Sequence, residues 1–259
     1  MHNAPPVAAL RRDRLLIWVC IALLTALAWA YLLHLDRQMS SSMAHDRMMA
    51  EMGMTMDMPR TATDLFFTFA MWTVMMVGMM AGSATPMLLL FAGTQSARGS
   101  RRVPMALPLF GLGYLTVWIG FSLCAALAQE ALHRAALLSP MMAASSPRVS
   151  GAILIAAGLY QLTPYKGACL TKCRSPLGFL MSGWRDGAGG AFRMGLSHGA
   201  HCLGCCWALM CVLFAVGVMN LLWVAGLTAL VLLEKVGPFG TVWARAAGVI
   251  MLLVGIYWL

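Results

Sequence analysis

Long apolar stretches, separated by charged residues, proline or glycine, dominate the hydrophobic pattern of the chain. A membrane-spanning helix needs about 20 consecutive, mostly apolar residues, and seven stretches are long enough to be considered. They are Leu15–Leu35, Asp64–Ala92, Pro104–Gln129, Val149–Tyr165, Met194–Val218, Met219–Leu233 and Thr241–Leu259. The pattern predicts an all-α, polytopic helical membrane protein with about seven transmembrane helices. The sixth is short, and we expect a tight turn at Gly217 to Asn220 before it.

The basic residues orient these helices, because Lys and Arg are disfavoured on the translocated side of a membrane. A cytoplasmic N-terminus leaves thirteen of the 18 Lys and Arg residues inside and five outside. We therefore predict a cytoplasmic tail over residues 1–14 and one transmembrane helical domain over residues 15–259. That domain includes an external Met-rich loop, 36–63, and a cytoplasmic Cys-containing loop, 166–193.

Composition supports a membrane protein and excludes several functional classes. Apolar residues make up 61% of the chain and charged residues only 10%, which is far from the balance of a soluble globule. The net charge of +9 is explained by basic residues on the cytoplasmic side of the membrane, so no nucleic-acid partner is predicted. No P-loop or dinucleotide motif is present, and no catalytic residues are predicted.

Eight methionines crowd the first predicted external loop. A thioether is a soft, uncharged ligand that favours Cu(I) over hard cations, so the loop is interpreted as a collector of external Cu(I). Met52, Met54, Met56 and Met58 recur at every second residue, which favours an extended ligand string over one face of a helix. An interfacial helix with methionine as apolar filler is the alternative. The predicted capture residues are Met39, Met43, His45, Met48, Met49, Met52, Met54, Met56 and Met58.

The second predicted helix continues the methionine pattern. Met71, Met75 and Met79 follow each other at intervals of four, and Met76 and Met80 form a second pair, so thioethers share one side of the helix. Met75, Met76, Met79 and Met80 are candidates for a relay of weak metal sites. Ordinary packing would produce the same spacing.

The segment Gly195 to Trp207 carries the sharpest candidate metal site. On a helix, Met194, His198, His201, Cys202 and Cys205 fall on one face, with Cys206 at its edge and Trp207 opposite. Imidazoles within a membrane segment are costly unless they are paired or bind a metal. Gly195, Gly199 and Gly204 would let a neighbouring element approach closely.

A second source of thiols lies upstream, where Cys169 and Cys173 are one helical turn apart. Lys172 and Arg174 beside them should lower the thiol pKa and favour the metal-binding thiolates. Four or five converging Cys and His ligands would favour Cu(I), with Zn(II) as the alternative. The predicted metal ligands are His198, His201, Cys202, Cys205, Cys206, Cys169 and Cys173. Glu234, at the same boundary, is a candidate ligand or proton partner.

The motifs resemble the DUF2182 family, a group of polytopic bacterial membrane proteins described as predicted metal-binding. The resemblance covers about residues 71–233. It is carried by the Trp and Met-rich helix, by Tyr160 to Pro164 with the following cysteine pair, and by the segment His198 to Trp207. It implies metal binding and a multi-pass location in the bacterial inner (cytoplasmic) membrane, but no mechanism.

Taken together, the sequence predicts a protein of copper trafficking, transport or homeostasis that binds Cu(I). Its expected partners are the lipid bilayer, the metal ion, and a metallochaperone or membrane metalloenzyme. Three alternatives stay open: an assembly factor that delivers copper to a partner enzyme, a thiol redox or haem membrane protein, and a structural membrane subunit. A reducing cytoplasmic face argues against a stable disulfide among these cysteines.

Overall fold

A computed structural model of the chain describes residues 7–51, 61–97, 103–138 and 144–259, without the side chains of 7–13, 43–47, 50–51 and 103–104. Within these residues the structure contains nine helices and, apart from one isolated bridge between Leu138 and Ala144, no β-structure. This confirms the predicted all-α fold class. The helices are α1 (Val7–Glu51), α2 (Ala62–Ala97), α3 (Val103–Arg134), α4 (Pro147–Gln161), α5 (Pro164–Arg174), α6 (Pro176–Gly183), α7 (Gly187–Val216), α8 (Leu221–Lys235) and α9 (Gly240–Trp258).

Five of the helices in the described part of the chain are long and apolar enough to cross a membrane. The qualifying segments are Arg14–Ser42, Ala62–Ala97, Met105–Arg134, Gly187–Val216 and Gly240–Trp258. Helices α4 and α8 match the other two predicted spans, but each has 15 residues and so covers only about 22 Å. A count of seven spans therefore stays a prediction.

Two predicted loops are in part helical. Helix α1 continues to Glu51, because no proline or glycine interrupts the chain between Leu35 and Gly53, so the first half of the predicted external Met-rich loop is helical. The cytoplasmic loop 166–193 likewise contains most of α5, all of α6 and the start of α7. Pro164 and Pro176 stand in the first turn of α5 and α6, where proline is compatible with a helix.

The predicted turn between the fifth and sixth stretches is present. Helix α7 ends at Val216, and Gly217 follows with φ 103°, a conformation that favours glycine. The Asn220 side chain then accepts a hydrogen bond from the backbone N–H of Trp223 and caps α8.

Glycines set the closest helix contacts. Helix α3 packs most extensively against α7, and α4 against α9. A Cβ atom on Gly195 would collide with the backbone of Phe110, and one on Gly113 with the backbone of Phe192. Between α4 and α9, a Cβ atom on Gly151 would collide with the backbone of Gly255, and one on Gly255 with the backbone of Gly151. Close backbone approach at small residues is typical of helix pairs in membranes.

The buried side chains form two clusters. The larger one fills the space between α2, α3, α7 and α8, and the smaller one lies towards the N-terminal end of α7 and includes Met87, Phe91, Phe110 and Met194. Large apolar residues also face outward: on α9, Ile250, Leu253 and Ile256 are about 60% exposed. Such an extensive outward apolar surface fits a membrane protein.

Candidate metal centre

Three cysteine thiols of α7 lie together in the larger core. Cys202, Cys205 and Cys206 are 2%, 0% and 1% exposed, because intervals of three and four residues place them on one face of the helix. The thiols of Cys205 and Cys206 donate to the carbonyl oxygen of Cys202, at 3.1 and 2.9 Å. Trp207 points outward and is 41% exposed, as the helical pattern predicted.

A buried lysine lies against two of these thiols. The Lys235 Nζ atom, at the C-terminal end of α8, is 2.9 Å from Cys202 Sγ and 3.7 Å from Cys206 Sγ. The same atom is 3.8 Å from the Met80 Sδ atom of α2, and the Tyr114 hydroxyl of α3 is 3.0 Å from Cys202 Sγ. Helices α2 and α7 therefore place three sulfur atoms around one ammonium group of α8. We call this site the Lys235 pocket: Met80, Cys202, Cys206 and Lys235.

Sequence reasoning did not assign Lys235 or Tyr114 to the site. In the sequence, Lys235 follows Glu234 at the end of an apolar stretch. A basic residue in that position is usually assigned to the membrane boundary and not to a buried site. Tyr114 sits in an apolar stretch with no partner near it in sequence, so nothing marked it.

The helix α5 brings the other two predicted thiols to the same cluster. The Cys173 Sγ atom lies 3.9 Å from Cys205 Sγ. Cys169 packs over Gly204, where a Cβ atom would lie only 2.8 Å from Cys169 Sγ. The glycine therefore admits α5 against α7, as its lack of a side chain suggested.

The expectation that neighbouring cations lower the pKa of the α5 thiols was wrong. Burial raises the pKa of Cys169 and outweighs the opposing effect of Lys172. The hydrogen bond shared with Cys205, together with burial, raises the pKa of Cys173 well above its usual value. Desolvation acts here more strongly than charges held at the surface.

The two histidines have different surroundings. His198 is 4% exposed, its ring stacks on Tyr114 with centroids 5.7 Å apart, and its Nδ1 atom has no hydrogen-bond partner among the described residues. His201 is half-buried, and its Nδ1 atom lies 2.6 Å from the Ser197 carbonyl oxygen. A buried imidazole nitrogen without such a partner is available to bind a metal ion.

His201 instead lines a cavity of about 630 Å³ between α5, α6 and α7. Lys172, Arg185 and Arg193 contribute positive charge to its lining. Met194 also reaches this cavity, one turn of α7 before His198, so the row Met194, His198, Cys202 leads from the cavity to the thiols.

The described residues contain no group of three or more His, Cys, Asp or Glu side chains that could hold a metal ion. The predicted set of four or five Cys and His ligands stays a prediction. Of its members, His201 faces the cavity, while Cys202 contacts Lys235 and Tyr114. The sulfur-rich Lys235 pocket differs from the predicted set by including a thioether and a lysine.

Glu234 does not face the thiols. Its carboxylate pairs with Lys166 Nζ at 2.6 Å and accepts a hydrogen bond from Gln161 Nε2 at 2.9 Å, and Lys166 also donates to Gln161. Arg174 donates to the carbonyl oxygens of Glu234 and Gly237, which holds the C-terminal end of α8 against α5. These contacts position Lys235 beside the cysteines.

The predicted relay methionines all face the core. Met75, Met76, Met79 and Met80 are at most 1% exposed, and Met80 is the one that contacts Lys235. Of the predicted capture residues, Met39 packs against the larger core, Met49 is half-buried and Met48 is 59% exposed. Met43 and His45 have no described side chain, and Met52, Met54, Met56 and Met58 lie outside the described residues.

These features define an all-helical protein with five helices long and apolar enough to cross a membrane and a buried, sulfur-rich cluster around a lysine ammonium. The family model named PpoB2, copper chaperone, matches residues 69–258, which include every residue of that cluster. The chain belongs to this family of copper chaperones, and a copper-related role follows. No curated protein and no solved structure matches the chain. The DUF2182 resemblance stays an expectation from the motifs.

Proposed function

We propose that the protein is a chaperone of the bacterial inner membrane that holds Cu(I) at its buried sulfur cluster and delivers it to a partner. The family supports copper, and the chemistry of the cluster supports the reduced ion, since thiolates and thioethers are soft ligands that favour Cu(I). A membrane metalloenzyme is the recipient we propose, and a metallochaperone is the proposed donor.

One observation carries the proposal: three sulfur atoms from two helices surround a single buried cationic atom. Met80 Sδ, Cys202 Sγ and Cys206 Sγ all lie within 3.8 Å of Lys235 Nζ. Electron-rich sulfur atoms that surround an ammonium group in the protein interior could surround a metal cation in the same way. We propose Met80, Cys202 and Cys206 as the holding site.

The remaining predicted ligands supply routes to that site. We propose that Cys169, Cys173 and Cys205 form an adjacent exchange set, through which the ion moves by stepwise replacement of sulfur ligands. Met194 and His198 connect this set to the positively lined cavity, and the buried methionines of α2 approach it from the opposite side. The unpaired Nδ1 atom of His198 supports a transient ligand at that position.

Anaerobic titration of the detergent-purified protein with Cu(I), against a chromophoric Cu(I) chelator, tests the proposal. The wild-type protein should bind Cu(I), and a Cys202→Ser, Cys206→Ser double variant should lose at least about a hundredfold in affinity, because hydroxyls are poor ligands for a soft ion. Cys124→Ser removes an exposed thiol of α3 and should leave affinity unchanged. A wild-type protein that binds no Cu(I) would contradict the proposal.

Flux measurements separate delivery from transport. Protein reconstituted in liposomes should bind Cu(I) without moving it across the bilayer, and should release it on adding an acceptor with a higher Cu(I) affinity. Steady accumulation of copper inside the liposomes would instead identify a transporter. A Soret band in freshly purified protein would identify the haem alternative, and bound zinc would favour Zn(II).

A further inference from the structure

The Lys235 pocket contains a fixed positive charge beside the proposed ligands. Lys235 is 7% exposed, and its ammonium donates to the Cys202 thiol at 2.9 Å. Lysines are rarely buried this deeply without a paired acid. The neighbouring acid, Glu234, is already paired with Lys166 at 2.6 Å. Among the described residues, Lys235 therefore contacts sulfur atoms and not the Glu234 carboxylate.

We propose that Lys235 selects the valence of the bound ion, so that the pocket favours monovalent soft ions over divalent ones. The proposal rests on the proposed function, since it takes Cys202 and Cys206 as metal ligands. It assigns Lys235 as a specificity-determining residue that does not itself bind the metal.

In a water-poor interior, the charges of the ligands, the lysine and the bound ion need to sum to about zero. Cysteines coordinate metals as thiolates, so Cys202 and Cys206 bring two negative charges, the Met80 thioether none, and Lys235 one positive charge. The Glu234 and Lys166 pair is neutral as a unit. A monovalent ion therefore brings the loaded pocket to neutrality, whereas a divalent ion leaves one uncompensated positive charge.

An uncompensated buried charge is expensive, because the Coulomb interaction is weakly screened there and the lost hydration is not replaced. The lysine can remain the counter-ion after metal binding, since its flexible four-carbon chain allows the ammonium to withdraw from Cys202 while staying near both thiolates. In the metal-free protein the same ammonium lies 2.9 Å from Cys202 Sγ and 3.7 Å from Cys206 Sγ.

Lys235→Gln tests the proposal, since it removes the charge without adding a sulfur ligand for Cu(I). Cu(I) and Zn(II) affinities are measured by chelator competition on the full-length protein in detergent, with Ag(I) as a second monovalent probe. We expect weaker Cu(I) and Ag(I) binding, tighter Zn(II) binding, and a fall in the Cu(I)/Zn(II) affinity ratio of at least about a hundredfold. Arg245→Gln removes an equal charge at an exposed position of α9 and should leave the ratio unchanged.

A charge-rescue experiment distinguishes valence selection from a structural role. In Cys206→Ser, one thiolate and Lys235 already cancel, so Cu(I) binding leaves a positive charge and affinity should fall. Adding Lys235→Gln to this variant should recover Cu(I) affinity at least about tenfold, the opposite of its effect in the wild-type background. Lys235→Leu provides a second neutral variant if Lys235→Gln does not fold.

The outcomes separate the two proposals. A wild-type protein that binds none of the three ions overturns the proposed function. A protein that binds Cu(I) but whose Lys235 variants change Cu(I) and Zn(II) affinity by the same factor overturns valence selection alone. The absence of rescue in the double variant would also overturn it.

Discussion

Lys166 and Glu234 form an ion pair in which both side chains are about 1% exposed. Breaking such a pair from one side leaves a buried charge without compensation, at a cost of about 3–5 kcal/mol. We expect Glu234→Gln to lower the apparent melting temperature in detergent, because Lys166 would lose its counter-ion. The double variant Lys166→Met, Glu234→Gln removes both charges and should recover most of the loss. A single variant as stable as the wild type would show that the pair contributes little.

At the residue scale, the sequence identified the cysteines of the cluster because their chemistry and helical spacing are both local properties. It did not identify the partners of Glu234, since Lys166 and Gln161 are 68 and 73 residues away. It left Tyr114 unassigned for the same reason, with Cys202 lying 88 residues away. Pairings at such separations depend on how the helices pack.

The contact between α3 and α7 depends on glycines at the element scale. Gly195→Ala should destabilise the protein by about 1–3 kcal/mol, because the new Cβ would overlap the backbone of Phe110 and force the two helices apart. Gly120→Ala is the matched control on α3, since no atom lies within 4 Å of its added Cβ. Thermal unfolding in detergent measures both, and equal stability of the two variants would exclude tight packing at Gly195.

Secondary structure was predicted best where a long apolar stretch ended at a charged residue, a proline or a glycine. Each of the seven predicted stretches corresponds to a helix, and the turn at Gly217 falls where expected. The extension of α1 to Glu51 was missed because the methionine-rich segment was interpreted as a string of metal ligands. Helices α5 and α6 were missed because short segments between prolines carry little periodic signal.

The number of spans is a property of the whole molecule. With seven spans and a cytoplasmic N-terminus, Arg185 lies inside and Asn220 lies outside, whereas five spans formed by the long helices alone would place Arg185 outside and Asn220 inside. The positive-inside rule favours seven, since Lys172, Arg174, Arg185 and Arg193 then remain in the cytoplasm.

Reporter fusions decide between these topologies. We expect a fluorescent-protein fusion after Arg185 to be bright and an alkaline phosphatase fusion there to be inactive, with the reverse at Asn220. A fusion after Ala136 is external in both arrangements and serves as the control. Active phosphatase at Arg185 would reduce the count to five.

The sequence by itself determined the all-helical class, the positions of the long apolar helices and the soft-ligand chemistry of α7, because apolar length, periodicity and side-chain type are local properties of the chain. Only the tertiary structure decided which sulfur atoms share a cation. The approach of α2, α5 and α8 to α7 brought Met80, Cys173 and Lys235 to the cysteines and left His201 facing the cavity. That selection arises from glycine contacts and buried pairings between distant residues, which no local pattern encodes.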